Sequence, residues 1–180
     1  MSKANPAPIN KIDVPNNHIR LGEVVKAFGG AYAGTVRGEK DRPDYHLFVA
    51  VGDAGQARDI AWGGYGIKES AETEHNHDGL ANTLALVASG ADHPAAKWAR
   101  DLKHEGYADW YLPSREELRL CYINAREHFD AVWHWSSTQY AGSSYDAWNQ
   151  SFDDGYQYIN VKDYQGRARA VRRVLINSVL

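Results

Sequence analysis

The chain has 180 residues, a length that suits one domain with a short appendage. Its 20 Lys and Arg residues are outnumbered by 23 Asp and Glu residues, for a formal charge of −3, so a cationic face for duplex nucleic acid is not expected. The single cysteine, Cys121, excludes an intrachain disulfide and a zinc site built from cysteines.

Residues 1–20 differ in composition from the rest of the chain. They are rich in Pro and Asn, with only scattered Ile and Val. Because such a segment cannot bury a core of its own, we expect an extended N-terminal arm, either disordered or laid on a partner. It lacks the apolar run of a signal peptide, and nothing downstream resembles a membrane span. We therefore expect synthesis in the cytoplasm, no membrane insertion, and one folded domain over residues 21–180.

The first part of this domain has the pattern of β-strands. Runs of five to seven residues at 30–36, 45–51 and 57–62 are separated by clusters of Gly, Asp and Pro. This punctuation is typical of antiparallel hairpins.

The middle of the chain has helix start and stop signals. Asp78 can cap a first helix, and Pro94 stands at the first position of a second one, which Gly106 is expected to close. Ser114 and Glu117 have the spacing of a capping box at the start of a third helix.

Strands return in the last third of the chain. Two runs, at 147–152 and 156–161, flank the turn Asp153-Asp154-Gly155, which predicts a hairpin. The alternating run at 167–175 is expected to return into the sheet. The order of strands, helices and strands predicts an α+β domain with helices on one side of an antiparallel sheet.

Two histidines, His75 and His77, have the spacing of a metal-binding pair on a strand. A metal site needs further ligands at set spacings, and no other histidine supplies an obvious one. The neighbouring Asp78 already serves as a helix cap, so a solvated loop is the better interpretation. We predict no metal site and no cofactor.

The remaining candidates for catalysis have structural explanations. The pair Glu116-Glu117 lies in the first turn of a helix, where acids interact favourably with the macrodipole. The pair Asp153-Asp154 shapes a turn, although it could also help to bind a cation. Cys121 lies mid-helix on the predicted buried stripe and is most simply a small core residue. We therefore predict no catalytic residue and no enzyme.

The segment 133–161 is rich in Trp and Tyr, with Ser, Thr, Asn and Asp between them and few aliphatic residues before Ile159. Rigid rings give contact area at low entropy cost, while hydroxyl, amide and carboxylate groups add adaptable hydrogen bonds. Sugar-binding and protein-binding surfaces both use this mixture. Because successive side chains of a strand point to opposite faces, we expect about half of the rings in the core and the others on the surface.

Four segments carry a resemblance to a known family: DGLANTLALV, GYADWYLPSREEL, WSSTQY…AWNQSFDDGYQ and RARAVRRV. In this order they resemble the C-terminal domain family of Legionella collagen-like adhesins, which also occurs in phage genes. The resemblance covers about residues 20–176. It implies a C-type-lectin-like fold, in which a small twisted antiparallel sheet carries the ligand-binding face and two to three helices support it. The Glu-Pro-Asn motif of calcium-dependent lectins is absent.

By analogy with that fold, the resemblance implies a ligand-binding face on the strands and turns of the aromatic segment. Its predicted members are polar and aromatic residues of that segment: Ser137, Gln139, Tyr140, Tyr145, Asn149, Tyr156, Tyr158 and Asn160.

These observations lead to two expectations about function. The first is a non-enzymatic recognition module on a virion or a cell surface, of the phage tail, fibre or decoration type. It would bind a bacterial cell-surface glycan or protein and form a homo-oligomer, since weak surface binders gain from multivalency. The alternative is a purely structural virion assembly protein, in which residues 1–20 dock on a neighbouring subunit.

Overall fold

The computed structural model describes residues 19–38 and 42–176. The predicted arm, residues 1–20, therefore lies outside the described residues apart from its last two positions. Within the described residues, no helix is long and apolar enough to cross a membrane.

The described residues form an α+β fold with nine β-strands and three α-helices. In chain order the elements are β1 (Val24–Val25), β2 (Gly30–Val36), β3 (Tyr45–Val49), β4 (Gln56–Ile60), α1 (Gly79–Ala88), α2 (Pro94–Asp101), α3 (Arg115–Ala125), β5 (Trp133–Gln139), β6 (Asp146–Ser151), β7 (Gln157–Val161), β8 (Gly166–Arg169) and β9 (Val171–Leu175).

The strands form two sheets. The first has the order β1-β2-β3-β9 and is antiparallel throughout. The second has the order β4-β8-β5-β6-β7, with β5 in the centre and β7 at one edge. It is antiparallel except where β5 and β8 run parallel, at the pair His134 and Arg167. The single antiparallel sheet expected from the sequence is thus divided in two.

The sequence signals for helix starts are confirmed. The carboxylate of Asp78 accepts a hydrogen bond from the N–H of Ala81 at the start of α1. Ser114 and Glu117 form a reciprocal capping box at the start of α3. Helix α2 begins at Pro94 as predicted but ends at Asp101, well before Gly106.

The early end of α2 has a local cause. Leu102 adopts an extended conformation and leaves the helix. The chain then makes a separate tight turn, in which His104 and Tyr107 exchange backbone hydrogen bonds. Gly106, with φ of +81°, belongs to this turn. The glycine therefore does mark a tight turn, but not the end of α2.

Two apolar clusters form the core. One contains the three fully buried indoles of Trp62, Trp110 and Trp135, packed among alanines of α2 and of the second sheet. The other joins the first sheet to α3 and includes Leu118 and Cys121. Cys121 is therefore a core residue, as predicted, and burial raises the pKa of its thiol. Helix α3 packs against strands of both sheets and so holds them together.

Candidate functional site

The β6–β7 hairpin presents one face that we call the hairpin face. Cross-strand pairing places Trp135, Asn149 and Tyr158 in one row across β5, β6 and β7. Asn160, two positions beyond Tyr158, lies on the same side of the sheet. Tyr156 accepts a backbone hydrogen bond from the N–H of Ser151 and continues the same alternation at the turn. The hairpin face thus contains Asn149, Tyr156, Tyr158 and Asn160.

The two tyrosines of the hairpin face are strongly exposed, Tyr156 at 70% and Tyr158 at 64%. The other face of the hairpin is covered by α3. There the guanidinium of Arg115 lies 3.7 Å from the centre of the Trp148 ring, and its Nε donates to Gln157. Helix α3 therefore covers one face of the hairpin, and the exposed rings of Tyr156 and Tyr158 lie on the other face.

The turn of the hairpin is fixed against α3. Gly155 has φ of +86°, and a Cβ at this position would lie 2.6 Å from the ring of Tyr122. Its carbonyl accepts a hydrogen bond of 2.8 Å from the guanidinium of Arg119. Asp154 accepts a hydrogen bond from the N–H of Tyr156, and the hydrogen bonds of Asp154 with Ser151 and Tyr156 lower the pKa of its carboxyl. The hairpin that Asp-Gly predicted is therefore formed, and its turn holds Tyr156 in place.

Asn149 is an unusual member of the hairpin face. Its side chain is only 2% exposed, between its cross-strand neighbours Trp135 and Tyr158. Neither its amide nitrogen nor its amide oxygen has a hydrogen-bond partner among the described residues. A buried carboxamide with both groups unpaired is energetically costly.

Two predicted site residues are in the interior. Ser137 is fully buried, and its hydroxyl donates to the carbonyl of Pro113. Gln139 is buried as well, and its Oε1 accepts from the ammonium of Lys162 and from the N–H of Glu69. Both lie on β5, whose central position buries both of its faces. In this structure neither side chain is open to a ligand.

The remaining two predicted residues lie away from the hairpin face proper. Tyr140 is half-buried and packs edge-on against Trp148, with 5.7 Å between ring centres. It therefore belongs to the side that α3 covers. Tyr145 is 50% exposed and contacts Tyr65, with 5.1 Å between ring centres. The structure thus brings together four of the eight predicted residues and separates the other four from them.

Lys162 was not among the residues that the sequence pattern singled out. Its side chain is fully buried, and the ammonium donates to the carbonyl of Ile67 at 2.7 Å and to Gln139 at 2.8 Å. It also lies 4.8 Å from the ring of Trp62. Burial lowers the pKa of Lys162 to about 8. Alternation along β7, continued by one residue, places position 162 on the side of the exposed Tyr158, so the strand pattern did not predict the burial of Lys162.

A second concave feature lies at the far end of the first sheet. It is a small cleft of about 110 Å³ that is lined by Arg37, Arg42, Tyr45 and Arg173, among others. The carboxylate of Asp78 pairs with Arg42 and with Arg173. Two of the three guanidinium groups thus share one carboxylate, that of the cap of α1, which balances one of their two positive charges.

The segment around His75 and His77 is a loop, as predicted. His75 lies close to Glu72, with 3.2 Å between Nε2 and the carboxylate. Over residues 19–38 and 42–176, no group of three or more His, Cys, Asp or Glu side chains is placed to hold a metal ion.

The fold and the hairpin face together define an α+β domain with an exposed tyrosine surface on one sheet edge. The model of the Lcl C-terminal domain family matches residues 57–172, which is more than half of the chain. The chain therefore belongs to the Lcl C-terminal domain family, as its four segments predicted. Membership indicates a surface or adhesin-type module. Comparison with curated proteins found no match. The C-type-lectin-like fold that the resemblance implies stays a prediction.

Proposed function

We propose that this protein is a non-enzymatic recognition module that binds a cell-surface glycan through the hairpin face. The observation that carries the proposal is the pair of rings at Tyr156 and Tyr158, which lie on one side of an edge strand and are 70% and 64% exposed. Such exposure of two large rings side by side marks an interaction surface.

The chemistry of the hairpin face suits a sugar. Tyrosine rings offer flat apolar area with a hydroxyl at the edge, and the amide of Asn160 offers both donors and an acceptor. A ligand of purely apolar character would leave this amide group unpaired.

The rigidity of the hairpin supports the same function. The turn is anchored on α3 through Gly155, and Tyr156 is held by Asp154. A surface that is already in its binding conformation loses less entropy when a ligand binds. The hairpin therefore has the properties of a preformed recognition surface.

The test is binding of the wild-type protein and of the double variant Tyr156→Ala/Tyr158→Ala to whole bacterial cells. We expect saturable binding of the wild type and its loss in the variant. The thermal melts of the two proteins should agree closely, because both rings are exposed. Ile123→Ala is a matched control, since Ile123 is 62% exposed on α3, on the other side of the sheet.

Treatment of the cells separates the classes of ligand. Binding that survives protease treatment and is lost after periodate oxidation of glycans supports the proposal. Binding that is lost after protease treatment alone identifies a protein receptor instead. Equal binding by wild type and double variant would contradict the assignment of the hairpin face.

A further inference from the structure

The loop of residues 63–70 lies against the same side of the second sheet as the hairpin face. Lys162 follows β7 directly, and the alternation of the strand places it on the side of Tyr158 and Asn160. Its ammonium donates to the carbonyl of Ile67, within the loop, at 2.7 Å. The loop therefore extends the hairpin face at its far end.

Buried polar contacts hold this loop in one conformation. The N–H of Glu69 donates to Gln139, and the carboxylate of Glu69 lies 2.9 Å from Nε2 of His93. The side chains of this Glu69–His93 pair are 8% and 1% exposed. At the start of the loop, the indole N–H of Trp62 donates to the carbonyl of Ser136. Such a network rigidifies the segment that it connects.

This rigid loop carries exposed apolar side chains. Tyr65 and Ile67 are 53% and 46% exposed, and Tyr145 beside them is 50% exposed. The rings of Tyr65 and Tyr145 meet edge to face, with 5.1 Å between centres. A loop fixed by buried charges and exposing rings has the organisation of a preformed contact surface.

The two exposed clusters are separated by more than the length of one sugar ring. Lys162, whose N–H donates to the carbonyl of Tyr145, lies four residues beyond Tyr158. Four residues of β-strand correspond to about 13 Å. A ligand that contacts both Tyr158 and Tyr145 must therefore contain several sugar units.

The charges that flank the two clusters are acidic. Asp153 and Asp154 precede Tyr156, and Asp163 follows Lys162, whereas Asp146 lies on the α3-covered side of β6 with Trp148. The one lysine of the loop, Lys68, is paired with Glu74. An anionic ligand would be repelled at both ends, so the surface favours an uncharged one.

We infer that Tyr65 and Tyr145 form a second stacking subsite, and that the ligand is an extended, uncharged oligosaccharide lying along β7. This inference rests on the proposed function, since it assumes that the hairpin face binds a glycan.

The test compares short and long oligosaccharides. The wild-type protein is measured on uncharged gluco-, xylo- and chito-oligosaccharides, as disaccharides and hexasaccharides, and on sulfated hexasaccharides. We expect an uncharged hexasaccharide to bind about tenfold more tightly than its disaccharide, which corresponds to roughly 1.4 kcal/mol. Tyr65→Ala and, independently, Tyr145→Ala should remove this gain and leave the affinity for the disaccharide unchanged.

The outcomes separate the two proposals. Equal affinity for disaccharide and hexasaccharide, or a hexasaccharide affinity unaffected by Tyr65→Ala and Tyr145→Ala, overturns the second subsite and leaves the hairpin face standing. Preference for the sulfated hexasaccharides overturns the assignment of an uncharged ligand. Unchanged binding in Tyr158→Ala, or no binding to any oligosaccharide, overturns both the second subsite and the proposed glycan recognition.

Discussion

At the scale of single residues, Lys162 is the most informative side chain of the protein. Its ammonium is fully buried and satisfies the carbonyl oxygens of Ile67 and Gln139. Burial opposes the charged form and lowers the pKa to about 8 from the ordinary 10.5, while the carboxylates of Glu69 and Asp146 act in the opposite direction. A neutral amine keeps two N–H groups, enough for both acceptors, so the contact does not depend on the charge.

The pKa of Lys162 gives a prediction for stability against pH. Between pH 8 and pH 10.5 the folded protein loses this proton while the unfolded chain retains it. The unfolded state then binds more protons, so the contribution of Lys162 to the free energy of unfolding rises with pH. The Lys162→Met variant lacks this contribution. We expect the difference in free energy of unfolding, wild type minus variant, to increase across this window in urea titrations.

A control for this prediction is Lys97→Met. Lys97 is exposed, and its hydrogen bond to Asp101 raises the pKa instead of lowering it. The difference between wild type and Lys97→Met should therefore not increase over the same range of pH. If the Lys162 difference is flat or falls, the ammonium is not buried as described.

At the level of single residues, the sequence predicted the structure correctly where strand alternation alone decides which side of the sheet a side chain lies on. Alternation along the strands of the aromatic segment predicted that its rings divide between the core and the surface. Tyr156 and Tyr158 are among the rings on the surface. The resemblance placed Gln139 in the ligand-binding face, and the sequence could not show that a buried lysine would be its partner.

At the scale of elements, Glu117 connects two helices. Its carboxylate closes the capping box of α3 at Ser114 and accepts the N–H of Gly79 at the start of α1. The hydroxyls of Tyr45 and Tyr111 donate to its other oxygen, at 2.6 and 2.7 Å. Burial and this carboxylate together raise the pKa values of both tyrosines. One acid thus satisfies donors from two helix starts and from the first sheet.

We predict that Glu117→Gln destabilises the fold. Glutamine replaces one of the two acceptor oxygens with an NH₂ group, which would then face hydroxyl or backbone donors. We expect the free energy of unfolding to fall by about 2 to 3 kcal/mol. Urea unfolding followed by circular dichroism measures this loss. Glu116→Gln is the matched control, because its side chain is 42% exposed, and we expect it to change the free energy of unfolding by less than about 0.5 kcal/mol. Equal effects of the two substitutions would contradict this role of Glu117.

The sequence predicted the starts of elements better than their long-range partners. The capping box of α3 is a local pattern, since Ser114 and Glu117 are three residues apart, and it formed as expected. The contact of Glu117 with Tyr45 spans 72 residues. No pattern in one sequence specifies such a pairing, because it depends on how the first sheet packs against α3.

At the scale of the whole molecule, the division into two sheets is what shapes the candidate site. The alternating run at 167–175 breaks at Ala170, so that β8 joins the second sheet and β9 joins the first. The carbonyl of Ala170 accepts a hydrogen bond from Ala50, and its N–H donates to Gly55. Strand β7 lies at the outer edge of the second sheet, two strands away from Trp135 of the tryptophan cluster, so Tyr158 is exposed on the same side of the sheet where Trp135 is buried.

The sequence predicted the α+β class but not this division. One continuous strand was expected because Arg and apolar residues alternate without a glycine or proline to mark a break. The break follows from packing, since Ala170 is fully buried where the first sheet meets the tryptophan cluster. The sequence indicated the aromatic segment as a site. It could not place the 63–70 loop beside that segment, because this contact also depends on packing between distant parts of the chain.

Binding of a glycan along β7 can be located residue by residue with amide chemical-shift mapping. Isotopically labelled protein would be titrated with the oligosaccharide that it binds best. If the glycan binds along β7, we expect the largest chemical-shift changes at residues 156–160 and a second group of changes at Tyr65 and Tyr145. Shifts concentrated in the arginine-lined cleft around Arg37 and Arg173, with none along β7, would contradict it.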